Sequence, residues 1–467
     1  MLKKIATIAL VLFLPLSIGA CSPFAPAPRA VAPTLLPEAF SLYPTQAVDA
    51  SPWWYALDSD ELNQLLARAF AGNYSLQQAW ARLEQARALA VQAGADLYPD
   101  LNATGDTTHA RQRRENGTTD TFTTRNYAIG LSTTYEIDLW GRIRAEQNAA
   151  NITAKATRED WHTTVITLAA NVTTTWARIL SQQSQLRLLE AQLKTNEIFL
   201  ELVELRYRKG IVSALDVFQQ QQIVEGVKAQ IPLVEAQEQL FHNQLAVLLG
   251  QAPGSRLDIT TTDLPLPEQV PAAGLPADLL ANRPDVRAAG LRLEAADWQL
   301  AAARANRLPA LSLTGTAGYG PADIDLMLDN WIMSLASSLT APLLDGGRRA
   351  AEVDRTRAVI DENLAAYRET VLTAIREVED ALVSEYYQRR YLAALDRQLQ
   401  AARYALVEAR EQYRKGIADY LPVLTQLIAV QNLERDLVTQ KTQLLIDRID
   451  LYKALGGNWT DTVVAGK

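Results

Sequence analysis

Cysteine occurs once in the 467 residues, at Cys21, which excludes an intrachain disulfide framework and any cysteine-based zinc cluster. Three histidines, His109, His162 and His242, lie far apart and supply no metal-ligand spacing. Basic excess is missing as well. The chain has 45 Lys and Arg against 53 Asp and Glu, a formal net charge of −8, which argues against a nucleic-acid partner. No phosphate-binding glycine loop, dinucleotide fingerprint, His-Glu-x-x-His or Gly-x-Ser-x-Gly occurs, so the sequence indicates no catalytic centre and no cofactor. The best carboxylate cluster, Glu377, Glu379 and Asp380, reads as a solvated helix face. What is present is 48% apolar and 21% charged, too apolar for disorder and long enough for two to four domain-sized units.

Residues 1–20, MLKKIATIALVLFLPLSIGA, read as a secretory signal with Lys3 and Lys4 at its start and the apolar stretch Ile5–Leu16 behind them. That stretch is about half the roughly 20 residues of a spanning helix, so it indicates export rather than anchorage. Ile18-Gly19-Ala20-Cys21 resembles the bacterial lipobox, in which the cysteine is lipidated and becomes the new N-terminus. Ser22 in place of an aspartate resembles the outer-membrane sorting choice of Gram-negative lipoproteins. Several acyl chains on Cys21 would hold the protein to a membrane essentially permanently. Loss of residues 1–20, with two lysines and no acid, takes the net charge from −8 to −10. The Pro- and Ala-rich stretch after Cys21 reads as an extended tether, residues 21–50.

An internal repeat organises the rest. Tyr207-Arg208-Lys209-Gly210-Ile211 recurs as Tyr413-Arg414-Lys415-Gly416-Ile417. Gly141-Arg142 recurs as Gly347-Arg348, and Leu249-Gly250 as Leu455-Gly456, all at one offset. The first repeat spans 51–250 and the second 278–457. A proline-punctuated linker, 251–277, separates them, and 458–467 form a C-terminal tail.

Each half reads as helix, strand, strand, long helix, long helix. The strands are expected at about 100–108 and 123–139, then at about 309–319 and 331–343, with polar loops near 109–121 and 320–330. Tyr127, Ile129, Leu131, Thr133, Tyr135 and Ile137 share one strand face. Tyr127, Ile129, Leu131 and Tyr135 are expected to face lipid, rather than Ala128, Gly130, Ser132 and Thr134. From about 142 to 209 there is neither proline nor glycine, enough for roughly 100 Å of unbroken helix. Leu186, Leu189, Leu193, Asn196, Leu200, Val203 and Tyr207 step in heptads, and Leu392, Leu395, Leu399, Ala402, Leu406, Ala409 and Tyr413 repeat the register. These residues pack helices.

Four strands with open edges do not sit in lipid, because unpaired backbone groups there cost several kcal/mol each. Three copies would close a barrel of twelve. The long helices would then continue it into the periplasm as a tube. Gly210 and Gly416 interrupt long helical patterns and mark tight helix–helix turns, which places them at the far periplasmic tip. Arg208, Lys209, Arg414 and Lys415 supply basic pairs there. These pairs suit either the docking of a partner or helix C-capping, where positive charge is favoured anyway.

Trp53-Trp54, Tyr135-Glu136-Ile137-Asp138-Leu139-Trp140-Gly141-Arg142, Arg283-Pro284-Asp285-Val286-Arg287-Ala288-Ala289, Leu308-Pro309-Ala310-Leu311-Ser312-Leu313 and Tyr452-Lys453-Ala454-Leu455-Gly456-Gly457 carry a resemblance. In this order, from about 50 to 460, they resemble the TolC-type outer-membrane efflux family and its OprM/NodT-type lipoprotein branch. The resemblance implies a mainly α protein with a membrane β-barrel, a homotrimer sharing twelve strands and a long α-helical periplasmic tunnel. It implies docking on a periplasmic adaptor and an inner-membrane pump of the resistance–nodulation–division type, export of drugs or other small molecules, and no catalysis.

By the same resemblance, Lys209-Gly210-Ile211 and Lys415-Gly416-Ile417 match the adaptor-contacting loops, and the pore constriction lies just inside them. Asp216 matches an acid that holds neighbouring helices closed through a tyrosine, here Tyr413. Where relatives carry aspartates that ring the pore, this chain has Pro422 and Thr425. That departure leaves Leu421 as an apolar plug and Asp419 as the substitute acid. Two other readings stand beside this one. A channel for type I protein secretion would use the same fold with an ATP-driven exporter. A lipidated coiled-coil structural protein would account for Cys21 and the heptads but not for the paired strands or the duplication.

Overall fold

The computed structural model describes residues 23–27, 36–42, 52–115, 119–255, 257–266, 270–271, 273–322, 328–457 and 459–460. The signal segment, Cys21 and Ser22 lie outside them. In chain order the helices are α1 (Asp60–Gly72), α2 (Tyr74–Ala95), α3 (Arg142–Arg208), α4 (Ala214–Leu248), the one-turn α5 (Leu279–Asn282), α6 (Pro284–Ala305), α7 (Arg348–Arg414) and α8 (Tyr420–Leu455). The strands are β1 (Asn102–Glu115), β2 (Thr119–Ile137), β3 (Ala310–Ala322) and β4 (Trp331–Thr340). The chain divides into two compact units. One comprises residues 1–32, 81–158 and 288–368; the other comprises 33–80, 159–287 and 369–467.

The first unit holds a single antiparallel sheet in the order β1-β2-β3-β4, so β1 and β4 are its edges. Thr-rich alternating sequence suits a pleated, half-exposed surface. The strands overrun their expected ends at the hairpins. Most of 109–121, expected as a loop, is strand, because β1 and β2 pair in unbroken register out to Glu115↔Thr119. β3 likewise reaches Ala322, and β4 stops at Thr340, short of 343. Polar residues on both faces hid the alternation in that outer segment; the backbone ladder needs no apolar face. Trp140 Nε1 donates to the Pro309 carbonyl at 2.8 Å, joining two of the resemblance-bearing motifs across the base of the sheet. Leu293, Ala296, Leu300, Val353 and Ile360 form a small helical core in this unit.

The second unit carries the larger core. Trp53 stacks on Tyr452 at 5.1 Å, Trp54 meets Trp459 edge-on at 4.7 Å, and both belong to a cluster with Leu62, Leu66, Trp176, Leu245 and Ile449. The heptad seam on α7 is as the pattern reads: Leu395, Leu399, Leu406, Ala409 and Tyr413 are buried. On α3 the seam is different. Leu189, Gln192, Asn196 and Val203 are buried, whereas Tyr207 is exposed. Asn196, on the heptad list, is buried as expected; Leu193 and Leu200 are only half-buried, and Gln192, outside the list, is buried.

Candidate functional site

Helices α3 and α7 end in the same way. Gly210 has φ 68° and Gly416 φ 72°, in the left-handed region that a side chain disfavours. Gly210 N donates to Tyr207 O at 2.8 Å and Ile211 N to Arg206 O at 2.9 Å. Gly416 N donates to Tyr413 O at 3.1 Å and Ile417 N to Gln412 O at 2.9 Å. These are paired Schellman closures, in which the residue after the glycine normally packs back on the helix. Here Ile211 and Ile417 are instead 58% and 72% exposed. Lys209, Arg208 and Lys415 are exposed beside them, and Arg414 pairs with Glu411.

The next turn of chain starts the return helices. Ser213 caps α4: its Oγ accepts from Asp216 N at 3.4 Å, while Asp216 Oδ2 accepts from Ser213 N at 3.0 Å and from Ser213 Oγ at 3.1 Å. Asp419 occupies the corresponding cap of α8, with no side-chain cap bond. Leu421 is 57% exposed, and Thr425, one turn on and also exposed, donates its Oγ1 to the Leu421 carbonyl at 2.9 Å.

Tyr413 is buried, and its hydroxyl has no hydrogen-bond partner among the described residues. The Asp216–Tyr413 hydrogen bond expected from the resemblance is therefore not made within the chain. Asp216 is engaged by Ser213, and the Tyr413 ring is covered by Arg206, whose guanidinium carbon lies 4.2 Å from its centroid. Burial pushes the Tyr413 hydroxyl pKa up; the Arg206 charge works against that and Asp216 with it.

A different set of residues links the helices here. Tyr420, whose ring lies 5.3 Å from that of Tyr413, donates its hydroxyl to Gln220 Oε1 at 2.7 Å. Gln220 Nε2 donates to the Asn196 carbonyl at 2.8 Å. Asn196 and Gln431 exchange two amide hydrogen bonds of 3.2 Å. Gln192 donates to the Gln431 carbonyl, and Arg435 donates to Gln192 Oε1 at 2.7 Å. Burial raises the Tyr420 hydroxyl pKa well above its ordinary value, so it stays a donor. Helices α3, α4 and α8 are thus joined by buried amides and one tyrosine. The sequence pattern placed Asn196 in the seam but missed Gln192, Gln220 and Gln431, because glutamines in long helices read as surface.

A sequence profile described as outer membrane efflux protein matches residues 65–251 and 275–457. The chain belongs to the outer membrane efflux protein family. The pyoverdine export outer membrane protein OpmQ of Pseudomonas putida is 35% identical over 456 residues, 96% of each chain. The solvent efflux pump outer membrane protein SrpC of Pseudomonas putida is 33% identical over 421 residues, 85% of this chain and 86% of its own. Among solved structures, the outer-membrane channel OprN superposes with a TM-score of 0.87 at 26% identity, over 94% of this chain and all of that one. The efflux protein is accordingly a TolC-type, mostly helical member of a family of outer-membrane channels, which are not enzymes.

The repeated motifs of the efflux protein act as joints. Asn73, just ahead of α2, donates Nδ2 to the Leu248 carbonyl at 2.9 Å, closing the end of α4. Arg283, just ahead of α6, donates Nη1 to the Ala454 carbonyl at 2.9 Å, closing the end of α8, and pairs with Asp285 and Glu377. The carboxylates of the α7 cluster all have partners: Glu377 pairs with Arg283, Glu379 accepts from Ser41 N and Oγ, and Asp380 pairs with Arg376. Further along, Glu385 is fully buried against Arg448 and accepts from Arg448 Nε at 2.9 Å.

The strand residues fall on one face. Ile129 pairs with Tyr319, Leu131 with Ala317 and Tyr135 with Leu313; on β4, Trp331, Met333, Leu335 and Leu339 continue the row. The alternate face reads Gly130, Ser132, Thr134, then Ser312, Thr314, Thr316, then Ser334, Ala336 and Ser338, with Glu136 at one end and Ile332 at the other.

Proposed function

We propose that this efflux protein is the exit duct of a tripartite system, a passive channel that receives drugs or other small molecules from a periplasmic adaptor and an inner-membrane pump of the resistance–nodulation–division type. The observation that carries the reading is the sheet. It has two open edges, one apolar face and one Ser/Thr face. Such a sheet is stable in a bilayer only when its edges are paired and its apolar face meets lipid. Three copies supply twelve strands, with Tyr127, Ile129, Leu131 and Tyr135 outward and the hydroxyl-bearing face lining the lumen.

No helix among the described residues is long and apolar enough to cross a membrane, so barrel strands carry the crossing in this reading. Cys21 adds a lipid anchor. The turns at Lys209-Gly210-Ile211 and Lys415-Gly416-Ile417 are the adaptor's contact points; exposed isoleucines beside basic residues support this. Leu421 and Thr425 line the constriction, with Asp419 the nearest acid. Pyoverdine and solvents are exported by relatives; the substrates here are small molecules chosen by the pump. Native mass spectrometry of the detergent-purified protein tests the assembly and the anchor together. The expected mass is a trimer whose subunits start at an acylated Cys21. A monomer, or a subunit retaining residues 1–20, overturns the reading.

A further inference from the structure

In an antiparallel pair, directly opposed residues lie on the same face. β1 and β2 pair without interruption from Asn102↔Ser132 to Glu115↔Thr119. The face that carries Tyr135, Leu131, Ile129 and Tyr127 therefore continues toward the hairpin as Arg125, Thr123 and Thr121. Opposite them on β1 stand His109, Arg111 and Arg113. The change of chemistry is abrupt. On β2 this face is uncharged from Ile137 to Tyr127, which matches the roughly 9–11 residues a tilted strand needs to cross a bilayer. Tyr127, with Tyr319 and Trp331 paired at the level of Ile129, forms an aromatic row of the kind that marks a membrane interface.

The basic residues begin at the next position outward. Arg111, Arg113 and Arg125 are exposed, and Arg125 Nε donates to His109 Nδ1 at 3.3 Å. The alternate face at the same level has no basic residue: it reads Ala110, Gln112, Phe122, Thr124 and Asn126. Farther out, the ladder continues through Arg114↔Asp120 to Glu115↔Thr119. The described basic residues of the hairpin thus gather on the face that continues the Tyr127–Tyr135 row.

We propose that Arg111, Arg113 and Arg125, with His109, form a binding surface for phosphate-bearing lipid headgroups of the outer leaflet. This rests on the lipid-facing assignment made above. A guanidinium presents a planar fork that matches a phosphate bidentately, and its long apolar stem lies along the lipid-facing strand while the charge reaches the headgroup level. The surface fixes the depth and tilt of the barrel, and in a trimer it recurs three times around the rim.

The test uses the full-length trimer and native mass spectrometry of retained lipid, with lipid A as the probe and its dephosphorylated form as comparison. Wild type is expected to retain the phosphorylated form selectively. Each of Arg111→Gln, Arg113→Gln and Arg125→Gln should weaken retention about fivefold, as for one basic residue near an anionic surface. The triple variant should bind both forms alike, and Gln112→Ala, on the alternate face, should behave as wild type. Selectivity that survives in the triple variant overturns the proposal, as does an equal loss in Gln112→Ala or full displacement by inorganic phosphate at matched concentration. A nitroxide at Leu131→Cys separates the two readings. Relaxation by oxygen rather than by a nickel chelate means that the face meets lipid, so a negative lipid result then overturns only the headgroup surface. Relaxation by nickel overturns the lipid-facing assignment itself.

Discussion

Two tyrosines 5.3 Å apart divide the chemistry of the turn region between them. Tyr420 donates to a buried glutamine, whereas the Tyr413 hydroxyl is buried with no partner. Removing a satisfied donor leaves Gln220 Oε1 stranded, which costs about 1–3 kcal/mol; removing an unsatisfied hydroxyl relieves a cost instead. Tyr420→Phe is therefore expected to lower the thermal midpoint and raise basal conductance in planar bilayers, while Tyr413→Phe leaves both unchanged or raises the midpoint. The opposite order would restore the acid–tyrosine link expected from the resemblance.

Asp447 gives a pH-dependent counterpart. Its carboxyl is pushed above the ordinary range by burial, with Asp450 and Glu385 adding to the shift and a hydrogen bond from Gln443 opposing it. An acid that holds its proton more tightly when folded stabilises the fold less as pH rises from about 3.9 toward its raised value. Asp447→Asn should thus melt higher than wild type at pH 7, with the difference shrinking by pH 4 in parallel thermal scans. A difference that grows toward pH 4 would reverse the sign.

At the scale of elements, the duplication is a set of repeated joints whose chemistry has diverged. Asn73 and Arg283 stand immediately before α2 and α6 and close the ends of α4 and α8, one with a neutral amide and one with a guanidinium. The Leu-Gly ending of each repeat has a steric reason. A Cβ on Gly250 would lie 2.1 Å from the Gly72 carbonyl oxygen, and one on Gly456 would lie 2.7 Å from that of Asn282. Both glycines also hold positive φ. Gly250→Ala and Gly456→Ala should each cost more than the roughly 1 kcal/mol of an ordinary left-handed substitution, because backbone must shift. The loss of trimer yield on expression measures it. Yields equal to that of Gly226→Ala, where the added Cβ meets open space, would exclude the steric argument.

These joints were legible in the sequence as repeated letters but not as contacts, since no spacing reveals that Gly250 abuts Gly72. The α7 seam was legible because its residues are apolar. The α3 seam was read partly out of place because Gln192 is buried through a partner 239 residues away. The strands were found where one face is apolar, and cut short where Thr, Arg and Gln stand on both.

For the whole molecule, the proposed barrel gives one sheet two different surroundings. Leu335 pairs with Gly315 on the apolar face, and Ala336 with Thr314 on the hydroxyl-bearing face. The two residues are adjacent in an edge strand and both exposed within the single chain, so burial within the chain does not separate them. Only the assembled barrel can. With lipid on one side and water on the other, an arginine on the lipid face costs about 2–4 kcal/mol near the midplane and far less toward the interfaces, whereas a lumen substitution changes selectivity. Leu335→Arg is therefore expected to reduce the heat-resistant trimer in outer-membrane fractions several-fold. Ala336→Arg should assemble at wild-type yield and shift the ion selectivity of the reconstituted channel toward anions. If Ala336→Arg is the variant that fails to assemble while Leu335→Arg inserts normally, the faces are reversed, and with them the outward assignment of Tyr127, Ile129, Leu131 and Tyr135.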